Sequence, residues 1–286
     1  MTFRGALFSS DGALRAPWRI VLFALASGVC AVVALNVIVG PLALLVTPLG
    51  VTVDRTIWTL LLGLVGGHVI MLEWIDRRPW SYVGLGRSAA RPSVLGTGFV
   101  LGAASIAVPV TLLIGVHWLD RVPSTTGSWW GSAGRLSFFL LPAALWEELL
   151  SRGYLFAVLK EKWGWRATLL FTSLAFGALH LNNPDADWRS ATLVALAGVF
   201  LGAVLIVTRS LYAAWMAHFA WNWTMAVLFH TAVSGFPMEA PNYKYVDSGP
   251  DWATGGPWGP EGGLAAGAGM VGGLAYLFAR RRREES

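Results

Sequence analysis

Three short patterns put ionisable or strongly polar side chains inside otherwise apolar stretches. The first is Trp146-Glu147-Glu148-Leu149-Leu150-Ser151-Arg152, within the apolar segment from Leu136 to Val158. A charged side chain at the centre of a membrane helix costs about 2.5–3.5 kcal/mol on insertion scales. Such groups persist only when paired, when facing a cavity or when doing chemistry. On a helix, Glu148 and Arg152 are four residues apart and share a face, so they can pair. Glu147 is turned about 100° from Glu148 and points elsewhere. The second pattern sets Phe176 and His180 on one helical face, and the third sets His218 and Asn222 on another.

A carboxylate and an imidazole can jointly hold and deprotonate a water molecule. An imidazole N–H and an Asn amide can donate to an oxyanion as it forms on an attacked carbonyl; losing one such donor costs on the order of 10²–10³ in rate. The set suits hydrolysis of an amide by activated water and needs no Ser or Cys nucleophile. The alternative is a zinc site formed by Glu147, His180 and His218, with an open position for water. The common helical HExxH motif is absent. Blander readings stand beside these. Glu148 with Arg152 is a structural ion pair, and Phe176 is packing. An intramembrane His is often a helix-to-helix hydrogen bond, which is the reading for His68, His117 and His230, since they match no motif. Gly102-Ala103-Ala104-Ser105 lacks the pattern of a membrane serine-protease loop.

The elements that must carry these residues are membrane helices. The chain has 286 residues, 55% hydrophobic and only 13% charged, against about 25% charged in soluble proteins. Its mean hydropathy is +0.58, and its 16 Trp suit membrane–water interfaces. The pI of 9.7 reflects loop anchors, with no nucleic-acid partner expected. A single cysteine, Cys30, excludes an intramolecular disulfide and a cysteine zinc cluster. Apolar sequence continues past the cleavage-like Ala24-Leu25-Ala26, so the first span is expected to stay uncleaved.

Runs approaching 20 apolar residues predict an all-α polytopic membrane protein with about eight spans: Trp18–Val46, Thr56–Trp74, Val94–Trp118, Leu136–Val158, Ala167–Leu181, Ala191–Val207, Leu211–His230 and Leu264–Ala279. Pro41 and Pro48 suggest that the first ends or kinks near Gly40. With both termini cytoplasmic, 15 Lys/Arg fall inside and 5 outside, as the positive-inside rule requires. The whole chain, 1–286, reads as one membrane domain with catalytic core helices in 136–230. The segment 231–263 reads as a long external loop without period, more simply passive than a lid. Gly269 and Gly273 permit close helix packing, and Arg280–Arg283 read as a cytoplasmic stop. The connector Lys160–Arg166 makes the fourth and fifth spans antiparallel. At about 1.5 Å per residue, Glu147, His180, His218 and Asn222 come to similar membrane depths.

At these residues the chain resembles the CPBP family of CAAX proteases and bacteriocin-processing enzymes. Glu147, Glu148 and Arg152 meet its EExxxR motif, Phe176 and His180 its FxxxH, and His218 and Asn222 its His-x-x-x-Asn. The resemblance covers about Leu136 to Phe229. It implies an intramembrane endopeptidase with Glu147 and His180 on the water, His218 and Asn222 at the oxyanion, and Glu148–Arg152 in support. It implies a metal-free glutamate mechanism, with zinc dependence the alternative. The partner would be a membrane-associated protein or peptide, CAAX-like or leader/bacteriocin-like, and the location a bacterial inner membrane. The rival readings are a non-catalytic immunity or scaffold protein and a proton-coupled small-solute transporter using Glu147 as a relay. The transporter is disfavoured because no inverted repeat is found.

Overall fold

The computed structural model describes residues 7–8, 12–50, 52–238 and 241–285; Arg4, counted above among the cytoplasmic-side cations, lies outside them. Helix α1 runs Ala16–Leu49 and carries Pro17 in its first turn, where the missing N–H costs nothing. Pro41 does not end it, and Pro48 sits in its closing turn. A π turn at Leu35–Val39 lies immediately before Gly40-Pro41, and the helix resumes to Val46 before a closing 3₁₀ turn. Helix α2, Arg55–Ile75, is capped by Asp54, whose carboxylate accepts from the Ile57 N–H. Helix α3 is Pro92–Gly115, and strand β1 is Leu119–Pro123. Helix α4 is Trp129–Arg152 and α5 is Tyr154–Leu179, with a non-helical break at Gly164. Helix α6, Trp188–Thr208, opens on a reciprocal Asp187–Ser190 capping box. Helix α7, Leu211–Trp223, is capped by Ser210 and followed by a π turn, Thr224–Leu228. Strand β2 is Tyr243–Asp247 and helix α8 is Leu264–Glu285.

The protein is mostly helical, and α1, α2, α3 and α6 are each long and apolar enough to cross a membrane. The expected fourth span, Leu136–Val158, is not one helix. The chain turns at Gly153, where a Cβ would lie 2.3 Å from the Leu149 carbonyl oxygen and 2.4 Å from His68 Nε2. Hydropathy cannot register that turn, because apolar residues continue across it. The expected connector Lys160–Arg166 is helical on both sides of Gly164.

By contacts the chain divides into two units, one of Met1–Arg87 with Pro142–Thr168 and one of Ser88–Leu141 with Leu169–Ser286. The first holds a buried polar cluster. Arg19, only 8% exposed, pairs with Asp76 at 2.6 Å and Glu161 at 2.5 Å. It also donates to the Tyr82 and Tyr154 hydroxyls, and Tyr154 donates to Asp76. Burial pushes the Tyr82 phenol up to about 12, against the pull of Arg19.

In the second unit, α3 and α7 approach at backbone distance. A Cβ on Gly98 would sit 2.1 Å from the Ala213 carbonyl oxygen, and one on Gly102 would sit 1.9 Å from that of Ala217. The four-residue spacing on both helices is the small-xxx-small geometry of membrane helix pairs. It fixes the helix that carries His218. Gly269 and Gly273 of α8 likewise pack against Ser105, as their spacing suggested, so Ser105 has a packing role. The segment 231–263 is not without structure. Its strand β2 pairs antiparallel with β1, from Leu119 opposite Asp247 to Pro123 opposite Tyr243.

Gly102→Ala is expected to force α3 and α7 apart, at the roughly 1–3 kcal/mol typical of overpacking. Thermal unfolding in detergent should show a lower midpoint for this variant. Gly115→Ala, with open space around its Cβ, should match the parent.

Candidate active site

The first pattern lies in the first unit, near the end of α4. Glu148 and Arg152 are fully buried and pair at 2.9 Å, as their spacing predicts. Glu147 is half-buried on the same turn. The turn that follows is held by His68. Its Nδ1 lies 2.8 Å from the Leu64 carbonyl oxygen, and its Nε2 lies 3.0 Å from the Tyr154 backbone nitrogen. A carbonyl only accepts and a backbone N–H only donates. The hydrogen therefore sits on Nδ1, and the Nε2 lone pair takes the Tyr154 N–H. His68 is thus a neutral helix-to-helix linker, which is the bland reading given to it from sequence.

The second and third patterns meet in the second unit. His180 follows the last residue of α5, at the start of a 3₁₀ turn. Its Nδ1 lies 2.8 Å from the Phe176 carbonyl oxygen, which places a hydrogen on Nδ1; in the neutral ring the lone pair is then on Nε2. Phe176 stacks obliquely on His180 at 4.7 Å and meets His218 edge-on at 6.1 Å. It also packs with Val194 and Trp258. Its role is therefore to seat both imidazoles. His218 and Asn222, one turn apart on α7, are both nine-tenths buried.

Phe176, His180, His218 and Asn222 line a cavity of about 30 Å³ with Trp221, Ser234, Glu261 and apolar residues of α6. That is about the share of one water in the liquid, and more than a bound water requires. Two imidazoles and a carboxamide thus line a water-sized space. A far larger groove, about 1050 Å³, runs along α3 and α8. Tyr276 is its only ionisable side chain, so it offers no comparable chemistry.

Three residues with polar groups on this cavity, Trp221, Ser234 and Glu261, are absent from the motifs. Glu261 is 7% exposed. Its Oε1 accepts from the backbone N–H and the hydroxyl of Ser234, both at 2.6 Å, and its Oε2 accepts from Trp221 Nε1–H at 3.0 Å. The expectation of a passive 231–263 loop fails here, because Ser234 and Glu261 form part of the cavity wall. The available signal was a single carboxylate in the Gly- and Pro-rich run Gly255–Gly263, just before an apolar helix. For zinc, the donor set must converge. Among the described residues no three His, Cys, Asp or Glu side chains do so, and no step below is routed through a metal.

Residues 128–224 match the family model described as type II CAAX prenyl endopeptidase Rce1-like. Over that segment the chain is similar to that family. The match takes in all three motifs and about a third of the chain, and it agrees with the resemblance read from them. The Rce1-like family is one of CAAX endopeptidases. With four membrane-length apolar helices, it supports an integral membrane protein. No curated protein and no solved structure matches the chain.

Breaking a buried ion pair leaves an uncompensated charge, at roughly 3–5 kcal/mol. Arg152→Met should therefore lower the unfolding midpoint strongly. Adding Glu148→Gln should restore part of the loss, because the orphaned charge is then gone. Chemical unfolding of the two variants checks both outcomes.

Proposed function

We propose that this protein is an intramembrane endopeptidase that hydrolyses a peptide bond in a membrane-associated protein or peptide, using water activated by Glu147 and His180. The observation that carries the reading is the water-sized cavity in which His180, His218 and Asn222 come together. Those residues belong to two of three motifs inside the Rce1-like segment. The role of Glu147 rests on the third motif.

In this mechanism the water oxygen attacks the scissile carbonyl carbon while its proton passes to the Glu147–His180 pair. The Nδ1–H bond to Phe176 keeps the His180 lone pair on Nε2, the nitrogen this step needs. The carbonyl electrons move onto oxygen, where a His218 N–H and the Asn222 amide donate to the oxyanion. Collapse expels the amine, which takes the held proton. Glu148 and Arg152 hold the α4 turn in place. The finer assignments belong to the same proposal: about eight crossings with both termini cytoplasmic, a bacterial inner membrane, and a CAAX-like or leader-like substrate.

The test uses purified protein in proteoliposomes with a prenylated CAAX peptide and, in parallel, mass spectrometry of membrane peptides from cells. Glu147→Gln should keep the parent unfolding midpoint and lose about 10²–10⁴ in kcat, the span of general acid–base catalysis. Asn222→Ala should lose about 10²–10³ in kcat, the scale of one oxyanion donor. Undiminished turnover by Glu147→Gln would reject the reading. An immunity or scaffold role would instead leave the cellular phenotype intact in both variants.

A further inference from the structure

We infer that Glu261 is a positioning residue of the cavity, which ties the cap made by 231–263 to α7 and sets, through Trp221, how α7 presents His218 and Asn222. This rests on the endopeptidase reading above and extends it to a residue outside every motif.

Glu261 lies in a Gly- and Pro-rich run and is nine-tenths buried. A carboxylate withdrawn from water that far needs strong donors in return, and it has three. Two come from Ser234 at the start of the cap, and the third is the Trp221 indole N–H. Trp221 is 5% exposed, follows His218 by three residues, and directly precedes Asn222. Its ring lies 6.5 Å from Phe200 on α6, so the indole has ring contact with α6 as well as its bond to the carboxylate. The other end of the network reaches His180. The Ser234 carbonyl accepts from Asn183 Nδ2 at 3.0 Å, and Asn183 closes the turn that begins at His180. The Gly235 N–H donates to the Trp258 carbonyl at 3.0 Å, and the Trp258 ring packs on Phe176. One carboxylate therefore joins the helix carrying His218 and Asn222 to the turn carrying His180. Catalytic constellations tolerate little play, and a displacement of about 1 Å costs on the order of 10²-fold.

Glu261→Gln keeps the side-chain shape but replaces one acceptor oxygen with an NH₂ that cannot accept from its donor. We expect kcat to fall about 10–100-fold with KM nearly unchanged and the unfolding midpoint near the parent's. Trp221→Phe, which removes only the indole N–H from the network, should give a similar kcat loss. The two together should lose no more than the larger single variant, because both break one link. Parent kcat in Glu261→Gln, or losses that multiply in the double variant, would overturn the inference. If Glu261→Gln does not fold, Trp221→Phe alone decides: full kcat in that variant would overturn it. If the parent and Glu147→Gln are equally inactive, the endopeptidase reading has failed. Trypsin cutting at exposed Lys244 within the cap then decides on the tie itself. Faster cutting in Glu261→Gln supports the tie, and an equal rate overturns it.

Discussion

The cost of taking polar groups out of water governs how this chain is built. More than half of its residues are hydrophobic, so a buried charge finds few partners by accident, and several of those present have specific ones. Arg19 has two carboxylates and two phenols. Glu148 has Arg152. His68 has a carbonyl on one nitrogen and an N–H on the other. Glu261 has three donors. These bonds fix helix ends and turns that apolar packing, being non-directional, would leave loose. The same economy applies at the cavity, where a hydrogen bond to the Phe176 carbonyl decides which nitrogen of His180 can take a proton.

Close packing supplies the second constraint. His218 and Asn222 can face the cavity because α7 is pressed against α3 at Gly98 and Gly102, with no side chain between the backbones. The contact is far from the chemistry in type but adjacent to it in sequence, since Ala217 precedes His218. Phe176 does comparable work on the other wall, touching both imidazoles while anchoring to Trp258.

Much of this was legible in the sequence because it is local. The Glu148–Arg152 pair follows from four-residue spacing, the close approach at Gly269 and Gly273 from small residues one turn apart, and the membrane class from composition. The shared cavity of His180, His218 and Asn222 was legible only through their motifs. What escaped depends on residues distant in the chain. The turn at Gly153 is invisible to hydropathy because apolar residues continue across it, and the residue that holds it, His68, comes from α2. Glu261 looked like one acid in a loop, because its donors Ser234 and Trp221 lie 27 and 40 residues away. Arg19, one of the cations counted on the cytoplasmic side, is the centre of a buried cluster. Pro41 read as an end or a kink near Gly40; the helix does not end there, and a π turn lies immediately before it.

The proposed mechanism has Glu147 and His180 act on one water as a single base. A double-mutant cycle on single-turnover rates tests it most directly, comparing Glu147→Gln, His180→Ala and the pair. Groups that work as a unit fail together. The account predicts that the double variant is no slower than the slower single variant. Losses that multiply would contradict it, because the two side chains would then contribute to separate steps.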